Sequence, residues 1–372
     1  MTDQAKLDQE VSLDAETPVR RGTTRRRKLI SGLVIAGFFA FTAIFADFLA
    51  PYDYREQVLR EPMAPPLTIR FHDPDGEPVL WPLVYPRRMS DPLTRTYEDD
   101  KRYAARIGIL VPGYPYKLFG LIPCDRHLFG AGRNVLRPDL TYQPPESPRL
   151  NLLGTDALGR DRFSRLIIAA RFSLLVGPVG ALLAGTLGAL LGCAASYGGR
   201  VVDGLLMRAA DAMMALPALV LILAARAAFP LELPPWRAAI LMIGIFVAVG
   251  WAEVARISRG LIRAVQHREF ILAARSLGLS APRILWRHIL PNISRPLLVQ
   301  LTIMLPAFVL AETALSFLGV GLQEPEPSWG NMLSGASDLT QLQAQPFVLL
   351  APAIAILVLV IGVRLISDGL KK

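Results

Sequence analysis

The sequence predicts an all-α polytopic membrane protein with six transmembrane helices and an external irregular, β-containing insert between helices 1 and 2. Three observations carry this. The 372 residues are 52% hydrophobic, with a mean hydropathy of +0.38, an average that water-soluble domains rarely reach. The apolar residues cluster in six runs, at 29–50, 172–195, 205–229, 238–258, 296–318 and 346–367, each near the ~20 residues that span a bilayer core. The stretch 51–150 is built differently: it holds sixteen of the thirty prolines, near-balanced charge and frequent aromatics.

Residues 1–28 are polar and lack apolar periodicity, which reads as a disordered basic tail. The first run, 29–50, is too long for a signal-peptide core and lacks a cleavage site near Asp47-Phe-Leu-Ala-Pro51. It is expected to remain as an anchor. An extracytoplasmic segment follows at 51–168. Strands are expected there at 67–71, 79–83 and 107–111, with turns at Asp73-Pro-Asp-Gly76 and Pro112-Gly113. Thr155 or Asp156 is expected to cap a short helix entering the second run. Arg160, Arg162, Arg165 and Arg171 suit either an entry helix with arginines at headgroup level or a direct substrate contact. In the core at 169–370, Ala184, Gly188 and Gly192 lie four residues apart, a spacing that lets another helix approach closely. Pro217 and Pro306 are placed to kink the third and fifth runs.

The net charge of +9 is distributed by topology, not as a nucleic-acid footprint. Arginines crowd the segment before the first run and the segment 253–295, whereas 319–345 has no Lys or Arg. Short basic loops stay cytoplasmic. Both termini and 259–295 are therefore expected inside, and 51–168 and 319–345 outside. Cys124 and Cys193 are too few for a disulfide framework or a cysteine-rich metal site. No lysine follows a glycine, so there is no Walker A loop, and H-E-x-x-H, G-x-S-x-G and C-x-x-C are absent. No catalytic residue, metal or cofactor is expected on this chain. Uphill movement would need a partner's energy or an ion gradient.

Ionisable residues within the runs fall into two kinds. Arg208–Asp211, Glu253–Arg256 and Arg364–Asp368 are spaced to pair on single helix faces. Glu312, with Thr313 and Ser316, has no basic neighbour in sequence. It either lines a translocation path or satisfies an interhelical hydrogen bond. A secondary carrier coupled to an ion gradient remains the alternative function. The absence of several intramembrane carboxylates argues against it.

Between the fourth and fifth runs, Phe270, Ala273, Ala274 and Leu277 fall at i, i+3, i+4 and i+7, one face of a helix. Gly278 supplies a stop, Ser280 a cap and Pro282 a first-turn residue for a second helix. Pro291 is expected to end the regular hydrogen bonding. Such a hairpin is either an interfacial connector lying on anionic headgroups or a docking element for another protein.

This segment resembles the EAA motif of ABC-importer permeases: Ala273-Ala274, then Gly278, then Leu290-Pro291. Leu153-Gly-Thr-Asp-Ala-Leu-Gly-Arg-Asp161, Ser196-Tyr-Gly-Gly-Arg-Val-Val-Asp203 and Glu312-Thr-Ala-Leu-Ser-Phe-Leu-Gly319, running on to Trp329-Gly-Asn-Met332, resemble the C-type permease of the dipeptide/oligopeptide/nickel family. The resemblance implies a type I importer fold and a channel subunit translocating peptides or related small solutes across a bacterial inner membrane. It implies a homologous second permease, an extracytoplasmic solute-binding protein and two cytoplasmic ATPases, which would hold the ATP and Mg²⁺. By the same resemblance, Glu269, Ala273, Ala274, Gly278, Ser280, Arg283, Arg287, Leu290 and Pro291 would couple to the ATPase. Asp156, Arg160, Asp161, Trp329 and Asn331 would make external contacts. The chain departs from the family at Leu272, where the motif usually has Glu, and in its long insert, which resembles the microcin/oligopeptide subgroup around Leu121-Ile-Pro-Cys-Asp-Arg-His-Leu-Phe-Gly130.

Overall fold

A computed structural model describes residues 18–72, 77–91, 95–100, 104–135, 149–335, 342 and 346–371. Helix α1 spans Pro18–Ile44, so residues 18–28 are helical, contrary to the expected disordered tail. Straight-chain arginines favour a helix, and Arg25 is held there: its guanidinium donates to the carbonyls of Gly369 (2.7 Å) and Leu370 (3.2 Å). Residues 1–17 lie outside the described residues. A short α2 (Ala46–Leu49) follows.

Among the described residues, the insert contains six strands: β1 (Arg70–His72), β2 (Pro78–Val84), β3 (Arg87–Asp91), β4 (Thr96–Asp99), β5 (Ala105–Leu118) and β6 (Ile122–Val135). They form an antiparallel sheet in the order β1-β2-β5-β6 and a separate β3-β4 ribbon. The three predicted strands survive with shifted ends, but Pro112-Gly113 is not a turn. It lies inside β5, where Pro112 pairs with Arg126 and the register slips before Tyr116. A bulge tolerates the N–H that proline lacks. The chain reverses instead at Phe119-Gly120. The expected turn at residues 73–76 falls outside the described residues.

The helical core follows: α3 (Arg162–Tyr197), α4 (Gly199–Met214), α5 (Ala218–Ala227), α6 (Pro235–Gln266), α7 (Glu269–Ser276), α8 (Ala281–Ile284), α9 (Leu290–Phe317), α10 (Trp329–Ser334), α11 (Pro346–Leu349) and α12 (Ala351–Leu370). Among the described residues, five helices are long and apolar enough to cross a membrane, and α4 with α5 makes a sixth candidate bent by 87°. The bend falls at Pro217, whose extended backbone (ψ 124°) follows the end of α4. Proline also disfavours helical backbone in the residue before it, so the third run breaks rather than kinks.

Helix α3 lies along α6 through the predicted small residues. A Cβ on Gly188 would stand 2.6 Å from the Trp251 carbonyl oxygen, and one on Gly192 2.6 Å from that of Ala255. The central core joins α3, α5, α6 and α9, with Phe246 against Phe308 at 4.7 Å between ring centroids. Ion pairing differs from the single-face pairs expected. Asp211 pairs with Arg256 across helices at 2.8 Å, Glu253 accepts from Gln300 Nε2 at 2.8 Å, and Asp368 pairs with Lys371 at 3.0 Å. For Asp211 and Glu253 the partner comes from a neighbouring helix, while Asp368 takes a partner three residues on.

Candidate functional site

The hairpin between α6 and α9 has its own small core. Ile262 of α6, Ile271 and Ala274 of α7, Ile284 of α8, Ile289 and Ile293 pack together, each no more than 6% exposed. The predicted apolar face of α7 therefore splits. Ala274 turns inward, while Ala273 is exposed beside Phe270 (44%), Leu272 (49%) and Leu277 (80%). Trp286 joins them at 67% exposure, a residue the sequence pattern did not single out. Glu269, Arg283, Arg287 and Pro291 are exposed around this face, and Leu290 is half-buried.

Backbone chemistry makes the hairpin rigid. Gly278 holds the left-handed φ of +77°. Its N–H donates to the Arg275 carbonyl (2.9 Å) and that of Leu279 to the Ala274 carbonyl (3.2 Å), the paired closure of a helix end. Ser280 occupies the predicted cap position, but its side chain makes no capping hydrogen bond; only its carbonyl accepts, from Ile284 N at 3.0 Å. Pro291 does not end the helix. The chain widens into a π turn at Leu285–Ile289, with the Leu290 N–H reaching the Leu285 carbonyl, and α9 runs on. Proline in a helix frees a carbonyl one turn back, and a π turn takes up such a mismatch.

Asp203, at the start of α4, braces this end of the bundle. It accepts from Arg259 through both oxygens, with Nη2 at 2.7 Å, and from Arg263 Nη2 at 2.7 Å.

At the opposite end, the residues expected to make external contacts are built into the fold. Arg160 and Arg165 are 7% and 3% exposed. Arg160 donates to Asp156 (2.7 Å) and Glu324 (2.6 Å), and Arg165 to Glu324 (2.9 Å). Arg171 pairs with Asp47 at 2.7 Å. Arg160 and Arg165 tie the 153–161 turn to the 324–331 loop, whereas Arg171 ties α3 to α2. The cap of α3 is Asp161, not Thr155 or Asp156, and it accepts from Ser164 N at 2.7 Å. Asp161 is buried, which pushes its carboxyl up to about 6 against the hydrogen bonds from Ser164. Trp329, 1% exposed, donates through Nε1 to the Leu166 carbonyl at 3.2 Å, and Asn331 closes a capping box with Ser328.

Near the C-terminal end of α9, Glu312 is wholly buried, accepting from Ser173 and Ser316 at 2.8 Å each; Thr313 donates to its own helix. The interhelical hydrogen bond is therefore made.

The chain matches two described families. Residues 184–372 match the binding-protein-dependent transport system inner membrane component, and residues 24–66 the N-terminal transmembrane domain of oligopeptide transport permease C. The dipeptide transport system permease protein DppC of Alkalihalophilus pseudofirmus is 38% identical over 59% of this chain and 69% of its own length. The oligopeptide transport system permease protein OppC of Bacillus subtilis is 33% identical over 64% of this chain and 74% of its own. A probable peptide ABC transporter permease of Sinorhizobium fredii is 35% identical over 71% and 87%. With the family match covering residues 184–372, from within α3 through the α7–α8 hairpin to α12, the chain belongs to the binding-protein-dependent inner membrane transport components.

Proposed function

We propose that this chain is a permease subunit of an ATP-driven peptide importer, with both termini and the α7–α8 hairpin on the cytoplasmic side. The single observation that carries the reading is the hairpin: a separately packed, capped element presenting Phe270, Ala273, Leu277 and Trp286 outward on a chain without a nucleotide-binding loop. Burying one large apolar side chain contributes ~1.5–3 kcal/mol, so three of them suffice to seat a rigid element in a groove. The ATPase subunits supply that groove and the ATP and Mg²⁺. The exposed apolar side of α4 and α5, including Val201 (83%) and Leu205 (70%), suits a homologous second permease. A solute-binding protein delivers the peptide on the insert side. Leu272 extends the apolar face where the family motif usually has Glu.

The test separates docking from folding. Ala273→Arg places a charge on the exposed face and is expected to lower peptide uptake more than tenfold, with hydrolysis no longer tied to transport and the protein still inserted. Ala274→Arg is a poorer probe because that side chain lies in the hairpin's core. Full uptake and full substrate-stimulated hydrolysis in the Ala273→Arg complex would refute the assignment.

A further inference from the structure

The turn joining β5 and β6 breaks the rule that turns are polar. Phe119, Leu121 and Ile122 are 54%, 82% and 54% exposed. Phe119 (φ 54°) and Gly120 (φ 71°) both hold left-handed backbone, ordinary for glycine and strained for a bulky residue. A phenylalanine kept in strain is kept for what its ring touches. That ring meets Phe45 edge-on, with centroids 5.5 Å apart.

Phe45 fixes the depth of the tip. The apolar span of α1 is Arg25–Ile44, whose length at 1.5 Å per residue matches the ~30 Å hydrocarbon core. Just beyond it, the Asp47–Arg171 pair marks headgroup level. The tip therefore stands at the boundary between hydrocarbon and headgroups. Beneath Phe119 opens an apolar cleft of about 780 Å³, walled by Leu175 of α3 and Leu359 of α12 and reaching down α1 to Ala36. Ala36 lies about 12 Å below Ile44 at the helical rise. Lys117 and Arg171 stand at its mouth. The adjoining side of α1 exposes Val34 (65%) and Phe38 (63%), a lipid-facing surface continuous with the tip.

We propose that this cleft binds a phospholipid of the adjacent leaflet. One acyl chain lies along α1 under the hairpin tip, the phosphate meets Lys117 and Arg171, and Phe119, Leu121 and Ile122 sit in the interfacial layer. Asp47 neutralises Arg171, so Lys117 gives the mouth its net positive charge.

The test uses the full chain in vesicles of phosphatidylcholine doped with phosphatidylglycerol. A nitroxide is placed at Leu121→Cys in a Cys124→Ser, Cys193→Ala background. Collisions with oxygen, which concentrates in hydrocarbon, are compared with those of a water-soluble nickel chelate. Oxygen should dominate at Leu121, and nickel at Leu80→Cys, a site 98% exposed on β2. Nickel access at Leu121 equal to that at Leu80 puts the tip in water and overturns the proposal. Shielding from both reagents means that a protein covers the tip, which overturns it equally. For the headgroup, Lys117→Gln should lower the ratio of phosphatidylglycerol to phosphatidylcholine retained through detergent extraction about fivefold, the factor for one cation at an anionic surface. An unchanged ratio removes Lys117 from the site.

Discussion

Glu312 has no exposed surface and accepts a hydrogen bond from a hydroxyl on each of two helices. Removing it would leave Ser173 and Ser316 searching for partners in the core, a loss of ~1–3 kcal/mol. Glu312→Ala is therefore expected to lower the melting temperature of the solubilised protein. Glu312→Gln keeps an acceptor, and the hydroxyls can rotate to receive its amide, so stability and uptake should stay near wild type. If Gln abolished uptake without destabilising the fold, Glu312 would belong to the translocation path instead. The sequence made Ser316 visible as a neighbour, four residues on. It could not show Ser173, which is 139 residues away. Arg226 escaped for a different reason. It is wholly buried, yet its guanidinium donates to the carbonyls of Phe229, Pro230 and Leu231, three to five residues on, in a turn after α5 that curls back over it.

Helix ends carry the next scale. Gly278 was legible because a helix stop needs a residue content with positive φ, and Gly278→Ala should cost the hairpin ~1–2 kcal/mol, read as faster amide exchange in α7 with the rest of the chain unchanged. The cap of α3 was not legible, since Thr155, Asp156 and Asp161 are all acceptable cap residues. The choice falls to Asp161 because Thr155 is bound to Ala64 N and the Glu61 carbonyl, and Asp156 to Arg160. Asp161 has a measurable signature. Its folded value of about 6 exceeds the ~3.9 of an unfolded Asp, so the folded state holds the proton more tightly. Its penalty is absent below about pH 4, grows between about pH 4 and 6, and is complete above that. Asp161→Asn retains the cap without the buried charge. The stability of wild type relative to Asp161→Asn should therefore fall as pH rises through that window, in melts run at matched ionic strength. A pH-independent difference would mean that the carboxyl is not strained by its burial.

At the scale of the whole molecule, the proposed ATPase docking raises the question of how a push on the α7–α8 hairpin would reach the other helices. Apolar runs and basic loops made the spans legible, because bilayer thickness and charge placement act on sequence directly. The contacts that could carry it were not legible, because they join residues distant in the chain. Asp203 makes the clearest of them. It ends the family-like stretch 196–203, and its carboxylate takes three hydrogen bonds from Arg259 and Arg263, one turn apart on α6 just before the hairpin. Bidentate arginine–carboxylate bonding fixes orientation as well as distance. The side chains are partly exposed, at 16%, 26% and 44%, so solvent screening limits their stabilising effect to ~1 kcal/mol. That is too little to hold the fold together and enough to keep α4 in step with α6. Asp203→Asn keeps the size and loses the charge. It should leave the melting temperature within a few degrees of wild type and ATP hydrolysis by the assembled complex within about twofold. Peptide uptake per ATP should fall severalfold, because α6 would then move without carrying α4. Both quantities are measured on the same proteoliposomes. An unchanged ratio of uptake to hydrolysis would show that the stroke passes through the α6–α9 helices alone.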